Sequence, residues 1–327
     1  MHSLFKITAA AALSLIVVGC GEQTAQDEQP PALPEGVSVP IGGPGRPTNL
    51  TDATSGESNV ALWQVSDEDT VVYLLGTVHL MKTGTSWETD AIRAAFNQSE
   101  ATYLEADVWS KDAQRAMGVV VTQNAENAPG NTLSGFFDKK QRAKLDETVT
   151  ALGMTLSDIE LYRPWFATMQ LSVLALVEAG GDPAAGADIY ISREMMLRDT
   201  PLRYLETAAQ QIKMLSSGDD TRDAEYLYAS LEDLSKGEIY FADLVGAWYD
   251  GDVERLDFLV NGAMADFPEL RQRLLVDRNL DWAQQIDRLM TDEPGTYLVA
   301  VGVGHLVGEG SVQDQLASRG YEPKRID

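Results

Sequence analysis

Two apolar runs near opposite ends of the globular region stop at the same short pattern, which at once narrows the architectures open to the chain. VVYLL leads into Gly76-Thr77-Val78-His79, and TYLVAV leads into Gly302-Val303-Gly304-His305. Each run has the length and composition of a buried strand. A glycine lets the backbone turn at the strand end, and a histidine three residues on can swing back over the sheet. In α/β folds ligands gather beyond the carboxyl ends of the strands. A histidine in such a place is often no more than a turn residue capping the next helix. What favours a functional reading is scarcity: the chain has three histidines, and His2 falls in the first residues of an apparent export signal.

Residues 1–19 read as a lipoprotein signal peptide. Lys6 supplies a weak basic start, and ITAAAALSLIVV is too short to span a bilayer comfortably. Val17-Val18-Gly19-Cys20 then fits a lipobox, and Cys20 is the single cysteine of the chain. A lone thiol directly after an apolar stretch is better explained by lipidation than by pairing or catalysis. Residues 20–57 hold six of the thirteen prolines and several glycines, a composition that cannot bury enough surface to offset its ordering entropy. They read as a disordered tether, leaving 58–327 as one α/β domain. The expected location is the cell envelope, with membrane attachment through the N-terminal lipid. Gly21 stands where an inner-membrane retention signal would carry aspartate, so the expectation is the outer membrane, facing the periplasm. A formal net charge of −25 excludes nucleic acid as a partner. Nothing in the sequence fixes an oligomeric state.

ALWQV and TVVYLLGTV, joined by the acidic SDEDT, predict a β-hairpin. A helix is expected from Thr89 to Gln98, then a strand in ATYLEAD. Residues 138–180 read as helices, with Pro164 in a first turn where its missing N–H costs little. Ala187 to Leu197 reads as a further helix and PLRYLET as a strand. Residues 208–290 are mostly helical, broken at SSGDD, YDGD and FPEL. TYLVAVG is a buried strand, GSVQDQLASRG an amphipathic helix, and YEPKRI a last edge strand because of its proline. Two strands thus end in Tyr-Leu-Glu, at Glu105 and Glu206, and two in Gly-x-x-His. Trp63, Trp165 and Trp282 read as packing residues.

Two imidazoles and a carboxylate can hold a divalent ion with open positions, and such an ion acidifies a bound water. A second carboxylate could then accept the proton. Glu105 and Glu206 suit these roles, and the residues alone do not say which is ligand and which is base. Arg278, in RLLVDRNLDWAQQI, reads either as part of a solvated helix face or as a group that steadies an oxyanion. The chain has no G-x-S-x-G elbow, no P-loop and no H-E-x-x-H. The glycines at 302, 304 and 308 are mis-spaced for a dinucleotide loop.

LWQV with YLLGTVHLM, YLEAD, the RPW helix, GADIYISRE, RYLET, DRN and LVAVGVGHLVGEGSVQDQLASRGY together resemble the TraB/GumN family, which includes the Tiki-type metalloproteases. The resemblance runs from about Ala61 to Ile326. It implies an α/β fold related to erythromycin-esterase-like and ChaN-like proteins, with a mixed central sheet in two pseudo-symmetric halves flanked by helices. It also implies a divalent-metal-dependent peptidase favouring manganese or cobalt, with zinc a further candidate, acting on a peptide or unfolded protein. By that likeness His79 and His305 are metal ligands or catalytic residues, Glu105 and Glu206 are ligand or base, and Arg278 is catalytic. Gly186 and Asp188 match a Gly-x-Asp pattern that reads as structural. The alternative is a non-catalytic lipoprotein that captures haem or a peptide.

Overall fold

The computed structural model describes residues 58–326; the signal peptide, Cys20 and the whole tether lie outside them. Six strands form one mixed sheet: β1 (Leu62–Ser66), β2 (Thr70–Thr77), β3 (Ala101–Asp107), β4 (Leu202–Thr207), β5 (Gly295–Gly302) and β6 (Lys324–Arg325). Their order across the sheet is β4-β3-β5-β2-β1-β6. The first four in that order run parallel, and β1 and β6 complete the sheet antiparallel. Strands from the two halves of the chain therefore alternate in the parallel region.

Local chemistry accounts for the elements. β1 and β2 form the expected hairpin, pairing from Leu62↔Leu75 to Ser66↔Val71. Asp67 closes its turn by accepting the backbone N–H groups of Asp69 and Thr70. Alternation along the strands sends Tyr73, Leu75, Leu298 and Ala300 into one apolar layer. Val72, Leu74, Val299 and Val301 go into the other, against Trp282 and Ile286 of the Asp277–Asp292 helix. Being buried on both faces is what makes these strands read as continuous apolar runs. A third cluster, including Leu145, Leu171 and Leu227, holds helices together away from the sheet.

Thr89 caps the Asp90–Gln98 helix, one residue inside the expected start. Asp138 caps Lys139–Ala151 in a reciprocal box with Gln141, and Pro164 opens Pro164–Glu178. The Lys111–Asn124 helix has no counterpart in the sequence reading. It buries only Met117, Val120 and Val121, too few apolar positions to give a clear period. The break at FPEL resolves into a short helix, Pro268–Arg271, and a π-helical turn, Gln272–Val276. That turn leads into the long helix whose inward side carries Arg278, Asn279, Trp282 and Ile286. The last strand is two exposed residues at the sheet edge, paired to β1.

Candidate functional site

The four parallel strands end on one side of the sheet, and both Gly-x-x-His turns and both glutamates sit at those ends. β2 and β5 pair from Thr70↔Gly295 to Thr77↔Gly302, so the two histidine turns leave the sheet side by side. Their closeness demands glycine at position 76, where an added β-carbon would lie 2.9 Å from Val303 Cγ2. Trp248 Nε1 donates to the Gly76 carbonyl at 2.8 Å and fixes the first turn from outside. On the neighbouring strands Ala106 pairs with Glu206, which sets Glu105 one residue short of it.

Arg278 stands at the centre of this arrangement. Its guanidinium is 4 % exposed. Nη2 donates to Glu105 Oε2 at 2.6 Å and to Glu206 Oε1, and Nε reaches both Glu206 oxygens at 3.1 and 3.2 Å. Nη1 donates to the Leu274 carbonyl at 3.0 Å and lies 2.9 Å from His305 Nε2. The guanidinium carbon sits 4.5 Å from the centre of the Trp282 ring, one helical turn on, which gives it a cation–π support. The solvated-face reading of Arg278 is thus corrected. The flanking Asp277 and Asp281 made the segment look polar, and the burying partners come from strands far away in sequence.

Arginine has no acceptor, so His305 Nε2 must accept from it. The proton then sits on Nδ1, which donates to Asn279 Oδ1 at 2.6 Å. Asn279 is oriented for this because its Nδ2 donates to the Gly310 carbonyl at 2.9 Å. His305 is 1 % exposed, with the Trp282 ring centre 4.4 Å from its own. Burial, then the charges of Arg278 and His79, hold its pKa well below the usual imidazole value. It is a neutral ring in one tautomer with both nitrogens engaged.

His79 differs in its charge and in its second nitrogen. Its Nδ1 lies 3.3 Å from Asp188 Oδ2, and its Nε2 is buried without a hydrogen-bond partner. Burial alone would lower its pKa. The Asp188 carboxylate, with a smaller contribution from Glu105, overcomes that and raises it to about 9. The Ala187 N–H donates to the Val78 carbonyl at 2.8 Å, docking the start of the Ala187–Leu197 helix on this turn. A β-carbon at Gly186 would strike the His79 carbonyl. The Gly-x-Asp pattern therefore has two parts: Gly186 permits the close approach, and Asp188 uses it to hold the imidazole.

The two glutamates divide similarly. Glu105 Oε1 accepts the Gly302 N–H at 2.6 Å, and its Oε2 accepts from both Gln211 Nε2, at 2.8 Å, and Arg278. It is an anchor with little capacity left. The Glu206 carboxyl is raised by burial and by Glu105, against the opposing pull of Arg278. The cluster meets solvent on the His79 side, where Asp188 is 28 % exposed.

These donors do not fit a bound divalent ion as they stand. Three of the four expected ligands, His305, Glu105 and Glu206, turn donor atoms toward one guanidinium instead of a shared point. Accordingly, no group of three or more His, Cys, Asp or Glu side chains among the described residues is placed to hold a metal. The structure places His305, Glu105 and Glu206 on Arg278, with His79 near enough for the charges of Glu105 and Arg278 to act on it. Sequence reasoning missed Asn279, Gln211 and the site role of Trp282. It had singled out Asp188 only as structural. The adjacency of Arg278 and Asn279, followed four residues later by Trp282, was the available signal.

The model of the family described as TraB/PrgY/gumN matches residues 61–325. The YbaP protein of Escherichia coli (strain K12) is 23% identical over 245 residues, covering 75% of this chain and 87% of the relative. The YbaP protein of Shigella flexneri matches to the same extent. No solved structure matches.

Proposed function

The chain belongs to the TraB/PrgY/gumN family, and on that footing we propose that it is a cell-envelope hydrolase that cleaves peptide bonds in peptides or unfolded protein. In this reading a lipid on Cys20 tethers it to the membrane, by preference the outer membrane facing the periplasm. The fold would belong with erythromycin-esterase-like and ChaN-like proteins.

One observation carries the reading: a buried imidazole nitrogen, His79 Nε2, has no partner beside a cluster of fixed charges. A buried polar atom left unpaired costs about 1–3 kcal/mol, and such a group calls for an explanation, a catalytic role being one. At neutral pH, below its raised pKa, His79 carries a proton on Nε2, so the missing partner is an acceptor. A substrate carbonyl oxygen fits that need. Charge developing on that oxygen in a tetrahedral intermediate strengthens the bond, the differential binding that lowers a barrier.

Glu206 is the base in this scheme. Its carboxylate takes a proton from the attacking water as the C–O bond forms. It returns that proton to the departing amine nitrogen as the C–N bond breaks. Arg278 favours the ionised form of Glu206 against the effect of burial and keeps the carboxylate in place. Glu105, Gln211, Asn279 and His305 hold the guanidinium, and Asp188 holds His79 in its charged form.

The test is direct. The full chain, incubated with a pool of unstructured peptides, is expected to yield defined cleavage products by mass spectrometry. His79→Ala and Glu206→Gln should each abolish them while circular dichroism stays unchanged. Undiminished cleavage by a folded His79→Ala chain would end the assignment. Cys20→Ser should release the chain from membranes, and a variant that stays in the membrane fraction would refute the lipid tether.

A further inference from the structure

We propose that Arg278 is the resident cation of this site, standing where a divalent ion would otherwise sit, so that the native chain binds no catalytic metal. The inference deepens the hydrolase reading above and can fail independently of it.

The argument is one of donor atoms and space. A metal-ligating histidine gives one ring nitrogen to the ion and is steadied through the other, usually by a carboxylate or carbonyl oxygen. Both histidines here have the steadying half of that arrangement: Asp188 on His79 Nδ1 and Asn279 on His305 Nδ1. At His305 the other half is already taken, since Nε2 accepts from Arg278 Nη1. Arg278 Nη2 occupies Glu105 Oε2 and Glu206 Oε1 in the same way. A tetrahedral ion would need about 2 Å from each donor. Reaching three of them would mean expelling a guanidinium that is 4 % exposed and stacked on Trp282. That guanidinium would have to move while still charged, because arginine does not deprotonate in proteins. It is also tied at Nη1 to the Leu274 carbonyl, on the π-helical turn that precedes its helix. One fixed positive charge thus meets two carboxylates and a neutral imidazole lone pair, which is the set of partners a divalent cation would take.

Isothermal titration of the full chain with manganese, cobalt or zinc chloride, each alone, tests this, together with elemental analysis of protein purified without chelator. The expected result is less than 0.1 equivalent of metal as purified. No saturable one-to-one site tighter than about 100 μM should appear, although weak uptake by surface carboxylates is expected. That uptake should be the same in His305→Ala. In Arg278→Ala the freed His305, Glu105 and Glu206 should gain a saturable cobalt site at least tenfold tighter than any in the wild type. Arg278→Ala with His305→Ala should lose it. A stoichiometric wild-type site abolished by His305→Ala would overturn the proposal. A folded Arg278→Ala chain with no gain in cobalt affinity would overturn it as well. Should that variant fail to fold, the wild-type titration still decides the matter.

Discussion

The two Gly-x-x-His turns look alike in the sequence and do opposite things in the molecule. At the end of β5, His305 is sealed, neutral and bonded through both nitrogens. At the end of β2, His79 is paired to a carboxylate, raised to about 9, and presents an unpartnered nitrogen. One ring completes a scaffold and the other keeps one nitrogen without a partner in the protein. A matched motif therefore guarantees a matched position at the sheet end, but the state of the imidazole is set by what the rest of the chain brings to it.

Removing the centre of the closed half should have the largest effect. Arg278→Ala leaves two buried carboxylates uncompensated and is expected to cost about 3–5 kcal/mol by chemical denaturation. A loss below about 1 kcal/mol would mean that the guanidinium is not what compensates the two carboxylates.

The pH dependence of stability separates the two rings next, because their shifts have opposite sign. His79 has a raised folded pKa, so its contribution is complete below the unfolded value of about 6.5 and is lost as pH climbs through about 9. The rise corresponds to something on the order of 3 kcal/mol. His305 stays neutral in the fold while the unfolded chain gains a proton, so its contribution is present at neutral pH and declines below about 6.5. His79→Gln should flatten the alkaline limb and leave the acid limb, and His305→Gln should do the reverse. Identical profiles for the two variants would break the comparison.

Gly186→Ala should cost about 1–3 kcal/mol through overpacking against the His79 carbonyl. The effect should fall on the His79 side, abolishing peptide cleavage before the thermal transition is lost. Asn279→Ala should cost about 1–2 kcal/mol by orphaning His305 Nδ1. That change should leave the His79 ring unaltered, as read from its NMR signals.

How much of this was legible in the sequence follows from where the determinants lie. The hairpin, the buried strands and the strand-end glutamates were readable because period, turn residues and apolar runs are local signals. The convergence of His79, His305, Glu105 and Glu206 was readable because parallel strands end on one side of a sheet. The strand order was not, since pairing of β2 with β5 joins segments from opposite ends of the domain. The burial of Arg278 was hidden for the same reason. Its helix carries acidic neighbours at Asp277 and Asp281, and nothing nearby announces that Glu105 and Glu206 will enclose it. The inequality of the two histidines was hidden most completely. It depends on Asp188 reaching one ring and on Arg278 with Asn279 reaching the other, contacts that only the folded chain creates.

The measurement that bears most directly on this inequality is nitrogen NMR of the imidazole rings in the full chain at pH 7, assigned through His79→Gln and His305→Gln. His79 is expected as an imidazolium with both nitrogens protonated, and His305 as a neutral ring with its proton on Nδ1. Two rings in the same protonation state, or a His305 protonated on Nε2, would contradict the account.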